Sequence, residues 1–270
     1  MNSDIQLAAA SGGGCHIFSG CGFPAPGLQD FDFKPIFSIG SFHFTKPILL
    51  ALICAAAVIV FFWAAFRKPK IVPRGMQNLG EVALFGVRDQ ILRPSLGKKG
   101  DSYLPFLTAM FFFIYFMNVL EIIPIAQFPV PSRVGFAWSL ALIVYVTYLY
   151  IGIKNQGLGG YFKNMIPHDV PWWIYPILIP IEFARYIFIQ PFTLGIRLFA
   201  NMFAGHLLLL IFTLATWYLA SLSIGLLFAA TSFVMVLGVT LLEALIQLLQ
   251  AFIFTTLTAT YIADSLEAGH

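Results

Sequence analysis

PFTLGIRLFANMFAGHLLLLIFTLATWY at residues 191–218 and, after a short Ser-Gly segment, SIGLLFAATSFVMVLGVTLLEALIQLLQAFIFTTLTATYIA at 223–263 decide the fold. From Pro171 to Ala263 the chain is almost wholly apolar, and its clearest breaks are Pro176, Pro180, Pro191 and the segment Ser221 to Gly225. A hydrocarbon core about 30 Å thick is crossed by about 20 helical residues. At about 1.5 Å per residue the two runs reach about 40 and 60 Å. Helices that overshoot this far must tilt strongly or lie partly along the membrane. The stretch reads as a helical hairpin, its arms placed at about 180–218 and 223–263.

Three shorter apolar runs precede it. The first, 47–66, is stopped by Arg67, Lys68 and Lys70; the second, 103–123, ends at Pro124; the third, 134–153, ends at Lys154 and a turn with Gly157, Gly159 and Gly160. Composition agrees with a membrane setting. Of the 270 residues 59% are hydrophobic and only 10% charged, with a mean hydropathy of +0.86. A water-soluble domain carries about 25% charged residues, so a bilayer has to cover this surface. The expected fold is an all-α membrane protein of five transmembrane helices, with the long tilted C-terminal hairpin and an amphipathic helix on the cytoplasmic surface. Residues 1–46 are expected as an extracytoplasmic N-terminal segment and 47–270 as a single transmembrane domain.

Orientation follows from the loops. Arg67, Lys68, Lys70, Arg74, Arg88, Arg93, Lys98 and Lys99 lie between the first two runs, against Glu81, Asp89 and Asp101. Lys and Arg are retained on the cytoplasmic side, which puts the N-terminus outside and, after five spans, the C-terminus inside. Within that loop Met76, Leu79, Ala83, Val87 and Ile91 share one helical face and Gln77, Glu81 and Arg88 the other. Such a helix lies in the headgroup region; the competing reading is a loop packed on the spans. Residues 1–40 lack the basic start and apolar core of a signal peptide and are expected to stay on the mature protein. Cys15 and Cys21 in their Gly-rich setting leave a local disulfide and two inert thiols both open. A net charge of +3 does not suggest nucleic acid.

Ionisable groups inside apolar spans cost about 2.5 to 3.5 kcal/mol each on insertion scales and mark function. The hairpin holds Glu182, Arg185, Arg197, His206 and Glu243, with amides at Gln190, Asn201, Gln247 and Gln250. Gln190, Arg197 and Asn201 are seven and then four residues apart, so they share a face. Thr240, Glu243, Gln247 and Gln250 form a second stripe, while His206, nine residues beyond Arg197, points to roughly the opposite side of its arm. Stripes of this kind can hold water and relay protons. Bland readings stand beside these. Arg197 could be tied to Glu243 in a structural ion pair, His206 could be a packed neutral imidazole, and the amides could be interhelical glue. Glu182 and Arg185, three apart, read as a local pair. No HExxH or GxSxG motif is present, and no metal ligand set is expected.

LGIRLFANMFAGH at Leu194 to His206 and QAFIF at Gln250 to Phe254 resemble the F-type ATP synthase subunit a family. FMNVLEIIP at Phe116 to Pro124 is similar to it too, with Glu121 where the family commonly has glycine. The resemblance implies a non-catalytic stator subunit of a bacterial plasma membrane, without a cofactor. It also implies partners: a ring of c subunits, b-type peripheral stalk subunits and the rest of the synthase. Two aqueous half-channels would load and unload protons on the ring carboxylates. Arg197 would be the essential ring-facing charge that prevents a short circuit. Asn201, His206, Glu243, Gln247 and Gln250 would lie on the proton path, with Gln190, Glu182, Arg185 and Thr240 in support. The alternatives are a secondary ion transporter, which would show paired repeats, and a membrane scaffold.

Overall fold

The computed structural model describes residues 37–39, 42–123, 128–164, 171–219 and 224–266. Cys15 and Cys21 lie outside them, as does most of the expected N-terminal segment. Five helices are long and apolar enough to cross a membrane: Lys46–Phe66, Gly100–Val119, Val134–Tyr161, Tyr175–Tyr218 and Gly225–Leu266. The protein is an all-α membrane protein, as its composition requires. The small addition among the described residues is a hairpin in which strand β1 (Phe37–Ile39) pairs antiparallel with β2 (Phe42–Phe44). The chain clusters into a smaller unit, described over Ala204–Glu243, and a larger one, Phe33–Phe203 with Ala244–His270.

In the larger unit helix α1 (Lys46–Phe66) is followed by the short helix α2 (Met76–Val87), which packs on α1 and on α3 (Leu104–Val119). The expected amphipathic helix is present: Met76 and Leu79 of its apolar face are exposed, open to a bilayer surface, while Val87 is buried in the protein together with Gln77 and Gly80. Two contacts bring Gln77 and Gly80 inward. Gly80 comes so close to α1 that a Cβ there would stand 2.6 Å from the Ala65 Cβ. Gln77, expected on the polar face, turns inward to clamp the backbone of Lys70, accepting from its N–H (2.9 Å) and donating to its C=O (2.8 Å).

Helix α4 (Val134–Asn164) runs on past Lys154 and is interrupted only at Gly157, whose φ of 74° is open to glycine. The first arm also starts earlier than its prolines suggest. Helix α5 (Tyr175–Ala184) holds Pro180 inside it and continues through a π-helical turn, Arg185–Ile189, into α6 (Gln190–Tyr218). In the π turn the Gln190 N–H donates five residues back, to the Arg185 carbonyl. The next donor in that register would be residue 191, which is proline and has no N–H. The Tyr186 carbonyl is left over, and the Tyr148 hydroxyl of α4 donates to it at 2.8 Å. A buried side chain thus supplies the hydrogen bond that Pro191 withholds.

Helix α7 (Ile224–Leu266) closes the larger unit with its C-terminal half. Gln247, Gln250, Ala251, Phe254, Thr255, Thr258, Ala259, Ile262 and Ser265 are buried at intervals of mostly three and four. Around them lie Met110 and Ile114 of α3, Tyr148 of α4 and Leu194, Leu198 and Met202 of α6, all buried. Thr258 reaches Met110 Sδ at 3.6 Å, Tyr148 and Tyr261 meet edge to face, and Gln156 Nε2 donates to the Ser265 carbonyl at 3.0 Å. Hydroxyls on these helices mostly bond the carbonyl four residues back, as Thr240 does to Val236 at 2.7 Å, which satisfies them without a partner helix.

The proline–tyrosine arrangement is testable. Tyr148→Phe leaves the Tyr186 carbonyl without a donor and is expected to cost about 1–3 kcal/mol. Pro191→Ala restores a backbone N–H in reach of that carbonyl. Thermal unfolding of detergent-solubilised protein, run as a double-mutant cycle, should show Tyr148→Phe costing clearly less in the Pro191→Ala background.

Candidate polar site within the membrane helices

In the larger unit the predicted residues fall into a set of bonded amides, the pair Glu182–Arg185, and an arginine outside both. Asn201 Nδ2 on α6 donates to Gln250 Oε1 on α7 at 2.8 Å, and Gln250 is 2% exposed. One turn earlier on α7, the fully buried Gln247 donates from Nε2 to Glu121 Oε2 at 3.1 Å. Asn118, also fully buried, places Nδ2 3.5 Å from the Gln247 carbonyl. So the two stripes read from spacing meet through Asn201 and Gln250, and Asn118 and Glu121 bond to Gln247 beside them.

Glu121 was read only as a departure from a motif, and Asn118 was not singled out. The signal was there: Asn118 and Glu121 are three apart in FMNVLEIIP and so share a helical face. The structure shows why both fit: α3 ends at Val119, and the N–H of Leu120 and Glu121 still bond back to Phe116 and Asn118. That last turn aims both side chains at α7. Several polar atoms of the network keep spare capacity. Gln250 Nε2 and, on α6, Gln190 Oε1 are buried without a hydrogen-bond partner among the described residues. Buried polar atoms of this kind await water or an external group.

Arg197 is half-buried on α6. None of the ion pairs or hydrogen bonds formed among the described residues involves it, so the structural ion pair considered for it is not seen. Glu182 and Arg185 form the local pair that their spacing suggested, Arg185 Nε donating to Glu182 Oε2 at 2.7 Å. They are thereby occupied with each other. Thr240 spends its hydroxyl proton on its own helix.

In the smaller unit His206 and Glu243 are buried, at 8% and 3% exposure. The Glu243 carboxylate lies against Gly205, where a Cβ would collide with it. Gly205 is thus a site residue that spacing rules could not find, because it contributes space and no functional group. Its neighbour His206 stands beside the seat it makes. Among the described residues no group of three or more His, Cys, Asp or Glu could hold a metal ion.

Five helices long and apolar enough to cross a membrane, carrying buried amides and carboxyls, define a polytopic membrane protein. A family model described as "ATP synthase A chain" matches residues 48–263. The chain is similar to the ATP synthase subunit a of Streptomyces lividans, 46% identical over 260 residues, which is 95% of this chain and 92% of the relative. It is also similar to those of Frankia alni, 42% identical over 254 residues (92% and 88% covered), and of a Parafrankia species, 42% identical over 241 residues (88% and 80% covered). The chain belongs to the ATP synthase subunit a family, and with it goes a role in ATP synthesis and proton transport in a bacterial membrane.

Two substitutions test the site. Gln247→Leu removes the buried hydrogen bond to Glu121 and is expected to cost about 1 kcal/mol, and less in a Glu121→Leu background; thermal denaturation of the solubilised protein, run as a double-mutant cycle, reads both. Gly205→Ala must push the Glu243 side chain aside. Because a carboxylate is the mobile end of a flexible chain, the melting temperature of the solubilised variant should change little.

Proposed function

We propose that this chain is the proton-translocating stator of a rotary ATP synthase, with Arg197 facing the acidic residues of a ring of c subunits. The reading rests on one observation above the others: a half-buried guanidinium on a membrane-crossing helix, with no ion pair among the described residues, in a member of this family. An arginine in hydrocarbon needs an anion. The anion is supplied by the passing ring.

The physics of the cycle follows. A ring carboxylate turned to lipid must be neutral, because ionising it there is costly. Opposite Arg197 it releases its proton, because a cation within a few ångströms lowers its pKa. Arginine stays protonated at every working pH, so it cannot pass the proton onward and it repels protons that would cross directly. His206 and Glu243 serve as the titrating relay on the outer side. Asn201, Gln247 and Gln250 are the hydrogen-bonded lining that orders water beside the ring, and Gln190, with its unused carbonyl, continues that lining one stripe away. Glu182 and Arg185 support the entrance as a pair, and Thr240 packs in the relay's stripe. In this arrangement two half-channels open to opposite faces. The N-terminus is outside and the C-terminus cytoplasmic, and b-type stalk subunits hold the chain against rotation. The chain makes no covalent bond; it gates protons for the catalytic subunits.

Arg197→Ala in the assembled complex separates this reading from an ion carrier or a scaffold. Proton-driven ATP synthesis and ATP-driven acidification of inverted vesicles in sodium-free buffer should fall to background, while the purified complex keeps its full subunit set. Retained coupling, or loss of assembly, would sink the assignment.

A further inference from the structure

At the end of α1 the chain turns through Arg67 to Arg74 and re-enters the helical state at α2, and a cavity of about 380 Å³ opens in the angle. Its lining includes Arg67, Lys68, Lys70, Arg74, Met76 and Gln77. Four cations line it and no carboxylate does. None of the four forms an ion pair among the described residues. Arg67 lies over the Trp63 ring, 4.7 Å from its centre. The nearby Glu81 accepts from Gln77 Nε2 at 2.8 Å and is committed to holding the clamp.

The cavity is built, because the Gln77 side chain fixes the Lys70 backbone through both its N–H and its C=O. Gly75, with φ 61°, then sets the entry to α2. Four like charges are thus held around one space, an arrangement that costs energy unless an anion shares it. The rim is apolar: Trp63, Ile71, Val72, Met76 and Leu79 are all exposed large side chains. The cavity also stands at the end of a membrane-crossing helix, where hydrocarbon gives way to headgroups.

We propose that this cavity binds the phosphodiester headgroup of an anionic phospholipid, with the acyl chains running down α1 beside Trp63. Basic pockets beside membrane helices take such headgroups, and the apolar rim distinguishes a lipid from a soluble phosphate. The site is separate from the proton path and fixes the depth of α1 and α2 in the bilayer.

The test uses the whole synthase complex, delipidated in non-ionic detergent and titrated with phosphatidylglycerol or with phosphatidylcholine of the same chains. Bound lipid is counted by native mass spectrometry. Wild type should retain phosphatidylglycerol in preference to phosphatidylcholine. The variant carrying Arg67→Gln, Lys68→Gln and Arg74→Gln should bind it about 100-fold more weakly, at about fivefold per charge. Should that variant fail to assemble, Arg74→Gln alone should show the fivefold loss. Equal retention by wild type and variant overturns the proposal. Displacement of the lipid by millimolar inorganic phosphate alone overturns it too, since the site would then be one for soluble anions. So does capture of a stalk subunit in place of lipid by a photocrosslinker at position 76.

Discussion

Hydrocarbon offers no hydrogen bonds, and the structure is arranged around that constraint. Helices satisfy their own backbones, and the hydroxyls of Thr231, Thr240, Thr255, Thr256 and Thr258 bond the carbonyl four residues back. Where Pro191 breaks the rule, Tyr148 repairs it from a neighbouring helix. What remains polar and buried is then informative, because nothing in the fold requires it. Asn118, Glu121, Gln247 and Gln250 form such a residue set, with the exposed Asn201 bonded to its edge, and a core of leucines would pack as well and be cheaper to bury.

The network differs in kind from Arg197. Its members bond to one another, so they hold α3, α6 and the C-terminal half of α7 in a fixed relation and still leave donors and acceptors unused. Arg197 is bonded to none of them. A protein that needed only to hold these helices together would have paired its one half-buried arginine on α6 with Glu121, and the carboxyl instead faces an amide. The amides are restrained by one another, whereas the guanidinium has no ion pair or hydrogen bond among the described residues.

How much of this was legible depended on whether a signal was local. The five spans could be read because hydropathy over about 20 residues needs no knowledge of neighbours. The Arg197–Asn201 face and the Glu243–Gln250 stripe could be read because helical spacing is fixed. Failures came where a partner distant in sequence decided the outcome. Gln77, placed on the polar face, turns inward because it bonds a backbone seven residues away, and Gly80 admits Ala65; a hydropathy pattern contains neither. Pro176, Pro180 and Pro191 looked like breaks because the π turn and the Tyr148 hydroxyl that absorb them lie elsewhere. Gly205 was invisible for a simpler reason, since its function is to have no side chain.

Gly205 also bears on how a carboxylate can work at this depth. Glu243 is 3% exposed, and its side chain lies against Gly205. Seating it against a glycine, beside an imidazole one residue along, gives it room to move and a base within the same short segment. The helix keeps its apolar exterior throughout, with Leu241, Leu242, Leu245, Leu248 and Leu249 all exposed. Hydrocarbon around it demands such an exterior, so a carboxyl on the same helix is tolerated only where the protein itself makes a seat for it, and Gly205 makes that seat by leaving out a side chain.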